Sequence, residues 1–410
     1  MTHSSPRPRL LRGSFLVFFV GRTVDLAGGA MTPVVLPLAI LAATGSVADA
    51  GLVAAANMIP TLAFMVFGGV VADRFNRKSL LAITSCLTAL LQAGMGIVLL
   101  TGNYALWIMV VIGLFSGVVA AFNGPALRGI VPELVEKSDL QRANAALATA
   151  RSAARMGGPL LAGVLVATIG GGWALLVDAM SSVVAAACFL TLPVAGMAVV
   201  SGSLLSGLKT GWNSFASTRW IWISSVSFAV INAVNVAPLQ IMGAAIVTPV
   251  LGAVAWGALL TGRTAGMLVA GTALVRWRLR SPLVTGRVVG VLAALPLFGL
   301  ATTDNFPALL VFAFLGGFGF SILTVTYDTT LHSEIPLSML SRVSAWDDLI
   351  AFAAIPVSQL LIGPLSDAFG YRELAFWSAT GLIGATLLPL VAPSLRAVSR
   401  RSGVISAEGP

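Results

Sequence analysis

The sequence predicts an all-α membrane protein of twelve transmembrane helices, and three observations carry that expectation. The 410 residues are 57% hydrophobic and 10% charged, against about 25% charged in an ordinary soluble domain. Mean hydropathy is +0.96. Apolar runs recur along the whole chain, each long enough as a helix to cross a hydrocarbon core about 30 Å thick at a rise of about 1.5 Å per residue.

Twelve runs have that length: 13–41, 48–72, 79–101, 105–126, 143–168, 173–195, 220–246, 252–275, 284–302, 306–329, 343–368 and 374–393. The first follows a basic N-terminus, but it is too long for the apolar core of a signal peptide and eleven more follow, so it is expected to be kept. Cys86 and Cys188 lie inside apolar runs and imply no disulfide framework. His3 and His332 stand apart, without the Cys/His cluster a zinc site needs. The chain carries no nucleophile–base constellation and no G-x-x-x-x-G-K-S/T loop, so neither an enzyme nor direct use of ATP is expected, and no cofactor.

Orientation follows from the cations. With both termini inside, nineteen of the 24 Lys and Arg fall in inner segments, Arg142, Arg276, Arg287 and Arg342 among them, and only Arg372 falls in an outer loop. Cytoplasmic loops carry this excess. The expectation is a multi-pass protein of a bacterial inner membrane with both termini cytoplasmic, contacting membrane lipids and working as a monomer. The net charge of +9 then needs no nucleic-acid partner, since no soluble fold with polar or aromatic base readers accompanies it.

The chain also resembles itself. A shift of 200 positions brings Arg142, Ala153, Gly163 and Gly170 onto Arg342, Ala353, Gly363 and Gly370, and a shift of 202 brings Gly69 and Arg74 onto Gly271 and Arg276. Parallel halves of six helices are the reading: 1–195, a linker over 196–219, and 220–410 with a short tail. Leu204, Leu208, Trp212 and Phe215 in the linker recur at helical spacing, which predicts an amphipathic helix on the inner leaflet.

One charged segment interrupts the apolar pattern. Gly69-Val-Val-Ala-Asp73-Arg74-Phe-Asn76-Arg77-Lys78 resembles the major facilitator signature between helices 2 and 3, with Asn76 where the family generally has Gly. Asn tolerates a left-handed turn better than most residues, so the loop is expected to keep its geometry. Gly158-Pro159-Leu-Leu-Ala162-Gly163 in the fifth run is similar to the antiporter motif of the same family, with Ala for one Gly. Strings at 123–135, 142–163 and 175–187 resemble the exporter branch that contains macrolide-efflux and enterobactin-export proteins.

The resemblance implies an alternating-access exporter, with multidrug efflux and antibiotic resistance as its field. It also implies that the signature aspartate, Asp73, meets the N-terminus of helix 11 as an inner gate. A helix N-terminus carries about half a positive charge. Asp347 and Asp348 are read as beginning the eleventh run, placed to receive Arg74 or Arg77; anchoring by Arg77 and Lys78 is the plainer alternative. Pro159 removes a backbone donor and is expected to bend the fifth helix, with Gly158 and Gly163 packing closely beside it.

Ionisable residues inside the runs cost about 2.5–3.5 kcal/mol each at mid-helix, so each asks for a reason. Arg22 and Asp25 share a helical face and can pair, as can Asp25 with Arg151; Arg155 lies four residues from Arg151. A static brace and a proton-coupling site both remain open for Asp25, with Asp178, toward the outer end of the sixth run, and Asp328, toward the inner end of the tenth, as further carriers. Arg263 stands near the middle of the eighth run with no acid beside it in sequence. It must meet an aspartate of another helix, the substrate, or a watery cavity. Asn123, Asn232, Asn235, Gln240, Tyr327 and Trp346 are the polar and aromatic candidates for a substrate cavity. The sequence reading is therefore a secondary active exporter of a small amphipathic compound, with the proton as coupling ion. A siderophore or lysolipid exporter of the same fold is the second reading, and a non-transporting membrane receptor the third.

Overall fold

A computed structural model describes residues 13–74, 76–136, 138–193, 212–276, 279, 281–396 and 398; of residues 65–74, 124–126, 128, 129, 337, 338 and 341 it describes the backbone alone. Among the described residues, eleven helical runs are long and apolar enough to cross a membrane, and the longest, Arg219–Arg276, breaks at Gly252 into two, giving α1 (Ser14–Thr44), α2 (Val47–Arg74), α3 (Arg77–Leu100), α4 (Leu106–Leu134), α5 (Leu140–Ile169), α6 (Gly171–Leu190), α7 (219–251), α8 (253–276), α9 (Pro282–Thr302), α10 (Phe306–Glu334), α11 (Leu337–Phe369) and α12 (Tyr371–Val391). No described residue is in a strand. Lipid offers backbone groups no partner, so a spanning chain must satisfy them within each helix.

α7 and α8 form one hydrogen-bonded run, broken only at Gly252, whose φ of 84° and ψ of 165° lie in a region that side chains exclude. Gly170 makes the same turn between α5 and α6, at φ 84° and ψ 161°, and Gly370 between α11 and α12, at φ 81° and ψ 154°. The 200-residue repeat register had already set Gly170 on Gly370.

Two helix ends depart from the hydropathy reading. α4 runs on past 126 to Leu134, and α11 starts at Leu337 rather than 343. Both extensions carry charge (Arg128 and Glu133, Arg342), which lowers hydropathy without ending the backbone hydrogen bonding. Asn76 is also corrected. It is not left-handed: with φ −60° and ψ 120° it is the N-cap of α3, and its side-chain oxygen accepts from the Lys78 N–H at 3.0 Å and the Ser79 N–H at 3.4 Å. Asparagine is among the best N-cap residues because its short side chain reaches those unpaired donors.

The linker helix expected over 196–219 falls mostly on 194–211, outside the described residues; 212–217 are helical. There Trp212 meets Trp346 of α11 edge-on at 4.9 Å and stacks on Phe215 at 5.9 Å.

By compactness the chain divides into a first unit, Met1–Ala39 with Ala56–Ser201, and a second, Ile40–Ala55 with Gly202–Pro410. In the first, Phe15, Phe18, Leu81, Ile130, Phe189 and Leu192 form a buried cluster that ties α1, α3, α4 and α6 together. Helices in lipid associate through small residues rather than through apolar burial. A Cβ at Gly117 of α4 would lie 2.0 Å from the Asn57 carbonyl oxygen of α2. Exactly 200 residues on, in the second unit, a Cβ at Gly317 of α10 would lie 1.8 Å from the Arg263 carbonyl oxygen of α8. Arg263 thus occupies in one half the place Asn57 has in the other.

Candidate functional site

The first unit encloses a cavity of about 890 Å³, walled by α1, α3, α4, α5 and α6. Close helix approach shapes it. A Cβ at Gly28 would fall 2.0 Å from the Ser181 hydroxyl oxygen and 2.4 Å from Asp178 Oδ1, so α1 and α6 meet only because residue 28 lacks a side chain. A Cβ at Gly158 would fall 2.6 Å from the Ala30 methyl, which brings α5 onto α1 one residue before Pro159. Gly163 is buried on the same helix.

Charge gathers on this wall. Arg22 and Asp25, one turn apart on α1, form an ion pair with both side chains about four-fifths buried. Asp178 of α6 is 3% exposed and accepts from the Thr32 hydroxyl at 2.5 Å and the Ser181 hydroxyl at 3.4 Å. It lines the cavity from the eighth residue of α6, nearer the Gly171 end of that helix. Gln92 donates to the Thr32 oxygen at 3.5 Å, and Asn123 accepts from the Thr84 hydroxyl at 2.9 Å. Arg151 and Arg155 of α5 line the cavity with exposed side chains. Neither is in a salt bridge among the described residues. Phe18, Leu26, Leu127, Val131 and Leu147 supply an apolar side. Of the residues read from sequence, the structure brings together Arg22, Asp25, Asn123, Arg151 and Asp178.

Other expected residues lie elsewhere. Asp347 does not begin helix 11: it stands ten residues after Leu337, 6% exposed, and accepts from the Tyr327 phenol at 2.9 Å and from the Ser225 hydroxyl. Asp348 and Asp328 are exposed on α11 and α10. Tyr327, Asn232 and Asn235 are buried in the second unit. Two of them are turned inward by neighbours: the Asn232 amide donates to the Ala351 carbonyl at 2.8 Å, and the Tyr327 ring lies 4.9 Å from that of Phe228. Gln240 is half-buried in a π-helical turn, Pro238–Met242, and Trp346 packs on Trp212.

Arg263 has no carboxylate within salt-bridge distance among the described residues; its guanidinium sits 5.4 Å from the Phe320 ring centroid. Among the described residues no aspartate holds it, and a cation–π contact with Phe320 is what it makes. Arg287, counted from sequence among the inner loop cations, is 1% exposed inside α9. It donates to the Ser227 hydroxyl at 2.5 Å and lies 5.3 Å from the Phe228 ring. Its position within the ninth apolar run was the signal that could have found it.

The side chains of Gly69, Asp73 and Arg74 lie outside the description, so the gate contact does too. Arg77 of the same segment pairs with Glu133 at the end of α4, at 2.7 Å, and Lys78 is half-buried beside it.

The sequence pattern of the Major Facilitator Superfamily matches residues 18–354. The chain belongs to that family. Membership makes it a transport protein rather than an enzyme. Among relatives, the multidrug efflux pump Tap of Mycobacterium tuberculosis is 25% identical over 411 aligned positions, spanning 93% of this chain and 94% of the relative. The enterobactin exporter EntS of Citrobacter koseri is 26% identical over 180 positions, 44% of this chain and 43% of the relative. The solved structure of nucleoside transporter NupG superposes with a TM-score of 0.72 at 13% identity, covering 93% of this chain and 99% of that one. That likeness carries the major facilitator fold.

Proposed function

We propose that this chain is a secondary active exporter of a bacterial cytoplasmic membrane, with both termini inside, moving a small amphipathic compound outward in exchange for protons. The observation that carries the proposal is the cavity of the first unit: its volume falls in the range of small-molecule sites, about 300–1,000 Å³, and its lining mixes apolar side chains with paired and unpaired charge. Membrane-embedded carboxylates mark proton and substrate paths in transporters, and Asp25 and Asp178 both face this space. Similarity to an efflux pump along 93% of the chain supports the outward direction. Asp25, held by Arg22, is the coupling candidate: protonation would free the arginine, and loss of the proton would recapture it.

The test is efflux of a panel of fluorescent compounds from cells making the protein, with and without a protonophore. Faster efflux than in cells lacking the chain, abolished by the protonophore, is the expected result. Equal accumulation in both cells across acidic, neutral and cationic compounds would overturn export.

A further inference from the structure

We infer that the cavity of the first unit receives an amphipathic acid, whose anionic group is held by Arg151 and Arg155 of α5 while its apolar body lies against the half-buried Leu26 and Leu127. The inference deepens the exporter reading by naming a substrate class, and it rests on that reading only for the direction of movement.

The charge balance of the cavity leads there. Three guanidiniums line it, those of Arg22, Arg151 and Arg155, against two carboxylates. Both carboxylates are engaged: Asp25 with Arg22, and Asp178 with the Thr32 and Ser181 hydroxyls. Arg151 and Arg155 have no carboxylate partner among the described residues. They sit near the midpoint of α5 (Leu140–Ile169), where charge is costly. Their spacing of four puts them on one face, about 5–6 Å apart at Cβ, an arrangement that repels when nothing lies between them.

What relieves two parallel guanidiniums on one helix face is a planar or tetrahedral oxyanion: a carboxylate, sulfonate or phosphate that accepts from both forks. A quaternary ammonium at that face would be repelled by both arginines. The apolar residues that share the cavity lining suit an acid carrying a body of ring or chain carbon. A cytosolic solute and an acidic membrane lipid both have that chemistry.

The experiment uses the purified full-length chain in phosphatidylcholine nanodiscs, titrated calorimetrically with 2-naphthoate and with 2-naphthamide, which share a body and differ in charge. The acid should bind at least about tenfold tighter, since a hydrogen bond to a charged group contributes about 1.5–3 kcal/mol and about 1.4 kcal/mol is tenfold. In the Arg151→Gln/Arg155→Gln protein that ratio should fall to about one, with the melting temperature of the empty protein unchanged. The double Lys variant should keep part of the preference. Adding phosphatidylglycerol to the discs separates the sources: competition with naphthoate assigns the site to a lipid acid, and its absence assigns it to a solute, both supporting an acid. A parent ratio near one, no binding of either compound, or a ratio the Gln variant leaves intact overturns the inference. Cells that still pump a panel compound in that case keep the export reading; acid-selective binding without efflux sinks export alone.

Discussion

The Tyr327 phenol donates to the Asp347 carboxylate at 2.9 Å, and the Ser225 hydroxyl donates to the same oxygen, all three residues buried in the second unit. The carboxylate thus joins α7, α10 and α11 through neutral donors. Asp347→Leu leaves the buried Tyr327 phenol without its acceptor, at about 1–3 kcal/mol, while the Ser225 hydroxyl keeps the Ile221 carbonyl at 2.9 Å. Asp347→Asn keeps a carbonyl oxygen in place and should cost less. Thermal melting in detergent should rank parent, Asn and Leu in that order; a Leu variant that melts with the parent would show the bonds to be dispensable.

Asp25 makes its one salt bridge, among the described residues, with Arg22. In proteoliposomes, Asp25→Asn should retain exchange of substrate across the membrane but lose accumulation driven by a pH gradient. Accumulation equal to the parent's would make Asp25 a brace between charges and move the proton to another carboxylate.

Gly117→Ala and Gly317→Ala test the internal repeat. Each new Cβ would meet a backbone carbonyl oxygen at 2.0 or 1.8 Å, so a helix must shift. Overpacking of this kind costs about 1–3 kcal/mol. Both variants should melt lower by similar amounts. A loss at one site only would mean the two helix crossings are not mechanically alike.

Asn76→Ala should destabilise the start of α3 by about 1 kcal/mol, and Asn76→Gly by a few tenths, because glycine at an N-cap leaves the amides open to water. Asp or Ser should restore the parent's melting temperature. If Gly proves costlier than Ala, the capping bonds to Lys78 and Ser79 are not what residue 76 supplies.

Much of the fold was legible because lipid constrains it so heavily: length and apolarity specify a spanning helix, and Gly170 and Gly370 repeat the same turn at the same register. The pair Arg22–Asp25 was legible from spacing alone. Hydropathy is blind, however, to which side of a helix faces lipid and which faces protein. Asp347 therefore read as a helix start and Arg287 as a loop cation, although each is buried by neighbours distant in sequence. Arg263 likewise called for an anion, and the packing of Gly317 against its backbone brings Phe320 instead. Partners of this kind depend on helix rotation, which composition does not encode.

The turns at Gly170, Gly252 and Gly370 bear on how the protein is made. Each leaves scarcely any polar backbone between one helix and the next. Almost no hydrophilic chain therefore has to be accommodated at these points, whichever side of the membrane they face. α5 with α6, α7 with α8, and α11 with α12 can each enter the bilayer as a preformed hairpin, its two arms sheltering one another before the rest of the chain has been synthesised.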